Sequence, residues 1–220
     1  MKTKLIACNM IRDEVELALA ETGAELDVEW IEEGLHYNVN KLRGRMQEAL
    51  DGSASYGRVL LAFGACGNMI DGLRVPGFEL ILPDADDCVT LMLYPHRSGK
   101  ETGTYYLTGG WVRLKRNAWN DRADLAARFG EKKAARVMEQ MFGGYHALHL
   151  VDTGAYDLAE IEAESKASAA SFDWAYDVEP GSIDWIKQLL TGPWDEKFLR
   201  FGPDETIDAD EALMKEAKAK

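Results

Sequence analysis

RVLLAF, at residues 58–63, contains an unbroken apolar run from Val59 to Phe63 that ends at Gly64. Such a run without alternation indicates a strand that is buried on both faces, as in a parallel sheet. The flanking chain alternates between strand and helix patterns, with strands predicted at residues 5–8, 26–31 and 78–82 and helices at 11–22, 39–50 and from about Cys88 onward. This alternation predicts a Rossmann-like α/β fold, with a mostly parallel sheet and helices on both faces.

The second half of the chain has a different pattern, with more helix between shorter strands. It predicts strands at residues 104–108, 146–151 and 197–201, helices at 118–129, 131–141, 158–172 and 182–190, and a turn at Gly109-Gly110-Trp111. We expect either a single α/β domain over residues 1–206 or two similar, tightly packed α/β lobes at about 1–100 and 101–206. The charged, Ala-rich residues 207–220 are expected to form a frayed helix or a disordered tail.

Composition and charge narrow the class of partner. The 220 residues carry a net charge of −13, which argues against nucleic acid or an anionic membrane because phosphates would be repelled. The sequence shows no apolar run long enough to span a bilayer and no signal peptide, so we expect a cytoplasmic protein. Its three cysteines, an odd number without an export signal, favour free thiols, a metal site or a catalytic thiol over structural disulfides.

Each cysteine lies where a predicted buried strand gives way to the next helix. Cys8 ends the first strand, Cys66 follows the apolar run, and Cys88 opens the helix after the strand at 78–82. Ligands of open α/β sheets bind beyond the carboxyl ends of the strands, and helix N-termini stabilise thiolates. Three thiolates with one open position suit a catalytic Zn²⁺ ion, or a [4Fe–4S] cluster with one iron free for substrate. The alternative is that each cysteine is a small buried apolar residue.

Three further side chains are candidates for proton transfer near these thiols. His36 follows the second strand on the same sheet edge, and it is a fourth ligand, a general acid–base group or an exposed loop histidine. Glu14 lies on the first helix, too far along for ligation but able to line the pocket. Asp87 directly precedes Cys88 and is either a helix cap or a proton carrier.

Glycines and aromatic residues complete the predicted pocket. Gly64 and Gly67 flank Cys66 in a turn that could cradle an anion, although their spacing is neither GxGxxG nor that of a P-loop. Tyr105 and Trp111 either shape the pocket or belong to the core.

A series of short motifs runs along the chain to about residue 207: Ile6-Ala7-Cys8, Gly64-x-Cys66-Gly67, Leu82-Pro83, Asp87-Cys88, Gly103-Thr104-Tyr105-Tyr106-Leu107-Thr108-x-Gly110-Trp111, Asp152-Thr153-Gly154 and Gly192-x-Trp194-Asp195. Together they resemble the DUF1638 family of unknown function. The chain departs from the family pattern at Leu35-His36-Tyr37-Asn38, where the family often has two histidines and a proline, and at Tyr94-Pro95, where it often has Gly-Ser. The resemblance implies a soluble prokaryotic α/β protein. Family genes tend to lie near those of corrinoid-dependent methyltransferase components, which suggests one-carbon metabolism.

The leading functional prediction is a metal-dependent enzyme in which Cys8, Cys66 and Cys88 hold the metal beside a small-molecule substrate. Zn²⁺ would activate a substrate thiol or water, which fits methyl transfer between a small methylated compound and a corrinoid protein. An iron–sulfur cluster would act as a Lewis acid in a lyase reaction on a hydroxy or carboxylate substrate. Two alternatives stay open: a non-catalytic accessory protein that handles a corrinoid or a metal, and a metal-free, racemase-like enzyme with two opposed thiols.

Overall fold

The computed structural model describes residues 2–96 and 100–209, and this part of the chain forms two sheets with packed helices, as the predicted α/β class requires. The strands are β1 (Thr3–Cys8), β2 (Asp27–Ile31), β3 (Arg58–Ala62), β4 (Glu79–Pro83), β5 (Thr104–Leu107), β6 (Ala147–Asp152), β7 (Ala175–Pro180) and β8 (Phe198–Phe201). The helices are α1 (Arg12–Thr22), α2 (Val39–Asp51), α3 (Cys88–Leu93), α4 (Gly109–Arg113), α5 (Ala118–Phe129), α6 (Glu131–Phe142), α7 (Leu158–Ser171) and α8 (Asp184–Thr191), with 3-10 turns at Asn9–Ile11 and Leu35–Tyr37. Within the same residues, no helix has the length and apolar character needed to cross a membrane.

The apolar run at 58–63 forms β3, an interior strand of the five-stranded sheet. The strand order is β2-β1-β3-β4-β8, in which the first four strands are parallel and β8 is antiparallel to β4. Residues 59–62 are at most 1% exposed. Full burial of a Val or Leu side chain is worth about 1.5–3 kcal/mol relative to exposure, so this strand is a main source of stability. The prediction of a central, doubly buried strand is confirmed.

The strands β5, β6 and β7 form a second sheet, which is parallel throughout. A separate apolar cluster packs on it, and Leu148 and Leu150 of β6 are fully buried there. The sequence patterns do not predict β7. Its residues are exposed or half-buried at the edge of the sheet, and they lack the apolar face that marks an interior strand.

The helix α4 occupies the segment that is predicted to be a turn, Gly109-Gly110-Trp111. A Cβ atom built on Gly110 would lie 2.0 Å from the carbonyl oxygen of Met10. Only glycine therefore allows α4 to approach the 3-10 turn after β1 so closely. The prediction of a turn is wrong because the two glycines serve contact between distant elements, which a local pattern does not reveal.

The last described elements return to the five-stranded sheet. Helix α8 contacts α1, β3 and β4, and β8 pairs with β4. Ile207 and Ala209, at the start of the predicted tail, are buried, and the remaining tail residues 210–220 lie outside the described part of the chain. The division into one domain or two lobes stays a prediction.

Gly64 allows the loops after β3 and β4 to touch. A Cβ atom built on Gly64 would lie 2.4 Å from the Cα atom of Asp87, a backbone atom that no side-chain rotation can move aside. The same loops are joined by two backbone hydrogen bonds. These run from Ala65 N–H to the Ala85 carbonyl oxygen (2.7 Å) and from Cys66 N–H to the Asp86 carbonyl oxygen (2.8 Å).

Replacing Gly64 by alanine is expected to lower the free energy of unfolding by about 1–3 kcal/mol, because the added methyl group overpacks against backbone. Gly44→Ala is the matched control, since Gly44 lies inside α2 with no atom within 4 Å of its built Cβ. That change is expected to raise the free energy of unfolding by about 0.5–1 kcal/mol, because alanine is a better helix former. Urea denaturation followed by circular dichroism measures both. A Gly64→Ala protein as stable as the wild type would contradict the contact.

Candidate functional site

The three cysteines come together at the carboxyl edge of the five-stranded sheet. Cys8 is the last residue of β1, Cys66 lies in the loop after β3, and Cys88 is the first residue of α3. The sulfur atoms of Cys66 and Cys88 are 3.9 Å apart, and the Cys8 thiol is near enough to Cys88 for each of the two to shift the pKa of the other. All three are free thiols, of which Cys8 and Cys88 are buried and Cys66 is half-buried. The structure thus brings together the residues that the sequence assigns to a metal site.

Cys66 lies in a tight turn and not before a helix. Cys66, Gly67 and Asn68 have φ values of 45°, 69° and 66°, all in the left-handed region. Successive residues of this kind cannot continue as a right-handed helix, so the prediction that Cys66 leads into a helix is wrong. A left-handed conformation costs a non-glycine residue roughly 1–2 kcal/mol. The hydrogen bond from Cys66 N–H to the loop after β4 helps to hold Cys66 in this conformation.

His36 adds an imidazole beside Cys8. It lies in the 3-10 turn that follows β2, and its Nε2 atom is 3.5 Å from the Cys8 sulfur. Gly34, with a φ of 87°, begins this turn in a conformation that glycine adopts without strain. Cys8 and His36 therefore form one contacting pair and Cys66 and Cys88 form a second, and the interaction between the Cys8 and Cys88 thiols places the two pairs side by side.

The separations within the two pairs are those of a tetrahedral zinc site. Zn–S bonds of about 2.3 Å and Zn–N bonds of about 2.0–2.1 Å place two sulfur ligands about 3.8 Å apart and a sulfur and a nitrogen ligand about 3.5–3.6 Å apart. The Cys66–Cys88 and Cys8–His36 distances are 3.9 and 3.5 Å. The four side chains do not surround a common point, because among residues 2–96 and 100–209 no three His, Cys, Asp or Glu side chains are arranged so that they could hold a metal ion. The structure thus contains two ligand–ligand separations of a tetrahedral zinc site, but not the complete tetrahedron.

Hydrogen bonds between the thiols favour ionisation of Cys88. Cys66 and Cys8 donate to its sulfur, and together with His36 and the Gly64 amide they hold the pKa of Cys88 well below its usual value, although burial opposes this. The pKa values of Cys8 and Cys66 are raised well above the usual value, because each thiol donates to Cys88 and because the surrounding protein desolvates both thiols. The cluster is therefore suited to one thiolate that two thiols stabilise.

Glu14 is a buried carboxyl group near this cluster. It is fully buried on α1, where its Oε1 atom accepts a hydrogen bond of 3.2 Å from the Thr153 hydroxyl. Its Oε2 atom is also buried and has no hydrogen-bond partner within the described chain. Burial raises the pKa of Glu14 to about 7, and the negative charge of Cys88 contributes to the rise. Such a carboxyl group can exchange a proton near neutral pH.

Asp87 caps α3. Its carboxylate accepts hydrogen bonds from the N–H (2.9 Å) and the hydroxyl (3.1 Å) of Thr90, and it forms an ion pair with Lys100. Although burial opposes it, the Lys100 ammonium and these hydrogen bonds lower the pKa of Asp87. Asp87 is thus engaged in capping and ion pairing, and its role as a proton carrier stays a prediction.

The anion cradle at Gly64 and Gly67 also stays a prediction. Gly64 packs against backbone, and Gly67 has open space around it.

His36 also lines a cavity of about 180 Å³ beside the thiols. Tyr105 and Trp111, the two aromatic residues expected to shape the pocket, line the same cavity, and the ring centroids of Trp111 and His36 are 6.5 Å apart. Arg116, which follows α4, is a further lining residue that the sequence does not single out. A lone arginine in a loop has no local pattern that marks it as a pocket residue.

Two other cavities lie on the side of the three-stranded sheet. One, of about 430 Å³, shares Tyr105 and Trp111 with the cavity beside His36 and reaches Asp87. The other, of about 450 Å³, is lined by aromatic side chains such as Phe172 and Trp174 and by none of the candidate site residues. The largest of these cavities is therefore not the one beside the thiols.

A family model matches the chain, but no individual known protein does. No curated protein and no solved structure matches it. The family model described as a protein of unknown function (DUF1638) matches residues 30–190, a range that contains His36, Cys66 and Cys88 but not Cys8 or Glu14. Since the match covers most of the chain, the protein belongs to the DUF1638 family.

Proposed function

We propose that the protein binds one Zn²⁺ ion through Cys8, Cys66 and Cys88, with His36 as the fourth donor, and acts on a small molecule at that ion. The observation that carries this proposal is the convergence of three thiols and one imidazole from four separate segments, with two separations equal to edges of a zinc tetrahedron. Thiolate and imidazole are also the ligands that Zn²⁺ prefers. Because the side chains as they stand do not hold a metal, binding requires the two contacting pairs to draw together around the ion.

The short contact between two thiols favours a single ion over an iron–sulfur cluster. Each cysteine ligand of a [4Fe–4S] cluster binds a different iron atom, so the ligand sulfur atoms are separated by the width of the cluster. Cys66 and Cys88, at 3.9 Å, would have to move apart to accept one. Zn²⁺ needs no change in the Cys66–Cys88 separation, since it holds two thiolates at about 3.8 Å. The cluster is therefore the weaker of the two metal proposals.

His36 is the donor at which a small molecule would reach the ion. It is the one residue of the four that lines the neighbouring cavity. Zinc held by thiolates makes a bound substrate thiol or water a better nucleophile at neutral pH. A substrate that takes the place of His36 would leave the imidazole beside Cys8, where it can accept or return a proton.

Methyl transfer between a small methylated compound and a corrinoid protein is the reaction class that we propose for this site. Zinc–thiolate chemistry suits it, and the family resemblance points to one-carbon metabolism. The alternative is an accessory protein that delivers a metal or a corrinoid without catalysis. A cavity that opens beside one metal ligand supports a substrate site over simple metal delivery.

Metal-free thiol chemistry is the second candidate, and the lowered pKa of Cys88 favours it because a thiolate is a nucleophile. A racemase-like mechanism, however, needs a substrate carbon between two opposed thiols. The 3.9 Å contact between Cys66 and Cys88 leaves no room for one. Of the metal-free mechanisms, nucleophilic attack by Cys88 is thus better supported than proton exchange between two thiols.

Protein purified without oxygen is expected to be colourless and to contain about one zinc ion per chain. Cys66→Ser and Cys88→Ser are expected to lose most of the zinc, and His36→Gln to bind it more than tenfold more weakly, because each removes a ligand. His149→Gln is the matched control, since His149 lies in β6 and contacts Glu179 instead. Elemental analysis by plasma mass spectrometry, together with the visible spectrum, measures these outcomes.

Other results of the same measurement would support a different proposal for the site. Brown protein with iron and acid-labile sulfide would support the cluster. Protein that takes up no metal even when zinc is supplied, and whose thiols alkylate readily, would contradict both metal proposals and support thiol chemistry at Cys88.

Glu14→Gln is expected to change how stability depends on pH. The pKa of Glu14 is about 7 in the folded protein against an ordinary value of 4.5, so the folded state holds this proton more tightly. The contribution of Glu14 to the free energy of unfolding is therefore fully present below pH 4.5, falls as the pH rises, and is lost above pH 7. The total loss is about 3 kcal/mol at most. The variant lacks this loss, so its free energy of unfolding relative to the wild type is expected to rise between pH 5 and pH 8.

Glu16→Gln, on the exposed face of the same helix, is the control for this pH series. Chemical denaturation at pH 5, 6, 7 and 8 compares the two variants with the wild type. A difference between Glu14→Gln and wild type that does not vary with pH would show that Glu14 is ionised throughout this range.

A further inference from the structure

We propose that the cavity beside His36 binds a small organic acid, whose carboxylate is held by Arg116 and Trp111. This proposal rests on the proposed function, because it names the class of substrate for the same site. It concerns the cavity of about 180 Å³, whose lining includes His36, Trp111 and Arg116.

The size and the walls of the cavity limit the ligand. Its volume lies below the range of about 300–1,000 Å³ that is typical of pockets for drug-sized molecules, so only a small metabolite fits. Much of the wall is apolar, with Met10, Met141 and Phe142 among its residues. A short hydrocarbon body suits these side chains, since its burial removes apolar surface from water.

Two hydrogen-bond donors in the wall lack an acceptor. The Trp111 Nε1 and Arg116 Nε atoms are buried and have no hydrogen-bond partner within the described residues. Indole and guanidinium nitrogens only donate, so the two groups cannot satisfy each other. Buried donors without a partner destabilise a protein, and an acceptor in the cavity would remove that cost. A rotation of either side chain toward the cavity that it lines would present its N–H to a ligand oxygen.

The charge of Arg116 selects an acid over a neutral acceptor. A guanidinium is always charged and matches a carboxylate with two parallel hydrogen bonds. Asp121 also lines the cavity, and repulsion between like charges places the ligand carboxylate at Arg116 instead. A Cβ atom built on Gly34 would lie 3.1 Å from the Arg116 Nη2 atom, so glycine at this position gives the guanidinium room beside the turn that carries His36. The acid group is thereby fixed next to the thiol site.

This placement brings the ligand to the proposed metal site. With its carboxylate at Arg116 and Trp111, the ligand occupies the cavity that His36 lines, and His36 in turn contacts Cys8. The substrate class is therefore a short-chain carboxylic acid that is held next to the thiol site.

Butyrate and its neutral counterpart butanamide are suitable probes, because they share their shape and differ in charge. Isothermal titration calorimetry with the full chain is expected to show butyrate binding at least tenfold more tightly than butanamide. Arg116→Gln is expected to abolish this preference. Arg122→Gln removes the same charge from the lining of the cavity of about 450 Å³ and is expected to retain it. Trp111→Phe keeps an aromatic ring without the N–H and is expected to weaken butyrate binding several-fold.

Three results would overturn the proposal: equal affinity of the wild type for both probes, unchanged butyrate binding in Arg116→Gln, or no butyrate binding by the folded wild type. If Arg116→Gln does not fold, Arg116→Lys and Trp111→Phe decide the matter by the same comparison. Titrations of metal-depleted and zinc-supplemented protein separate the two proposals. Arg116-dependent binding by a protein that takes up no zinc would refute the zinc site alone, and zinc uptake without butyrate binding would refute the acid site alone.

Discussion

Two backbone hydrogen bonds between the loops after β3 and β4 hold the candidate site together. They join Ala65 and Cys66 to the loop that leads into α3, and Gly64 lets the two backbones approach closely enough to form them. Parallel neighbours in a sheet bring strand ends within about 4.8 Å, but they do not aim side chains at each other. The paired loops do this: they hold Cys66 in a left-handed turn with its sulfur 3.9 Å from that of Cys88.

Burial determines how readily these groups ionise. Hydrogen bonding among the thiols lowers the pKa of Cys88 although burial opposes it, and hydrogen bonding and burial together raise the pKa values of Cys8 and Cys66. The same burial raises the pKa of Glu14 to about 7, and the hydrogen bond from Thr153 to Glu14 ties α1 to the loop after β6. Zinc binding as proposed would release the protons of these thiols, so it would be coupled to proton transfer.

Local patterns predict much of the fold, because β3 is apolar from Val59 onward and α5 and α6 have clear periodicity interrupted at Gly130. They miss β7 and α4, which depend on an edge position and on a glycine contact with Met10. The convergence of the cysteines and His36 on one edge follows from their places after successive parallel strands. The turn at Cys66 and the part played by Arg116 do not follow, since both depend on contacts between residues far apart in the sequence. Asp87 shows the same limit: its sequence position allows a cap or a proton carrier, and only the contacts with Thr90 and Lys100 favour the cap.

The central claim is that Cys8, Cys66, Cys88 and His36 enclose one zinc ion. X-ray absorption at the zinc K-edge of the zinc-loaded protein tests it most directly, because the fine structure reports the kind and distance of the atoms bound to the metal. We expect a shell dominated by sulfur at about 2.3 Å with one nitrogen at about 2.0–2.1 Å, and fewer sulfur neighbours around the residual zinc that Cys88→Ser retains. A shell of oxygen and nitrogen alone, the same in both proteins, would place the zinc on other residues and contradict the account.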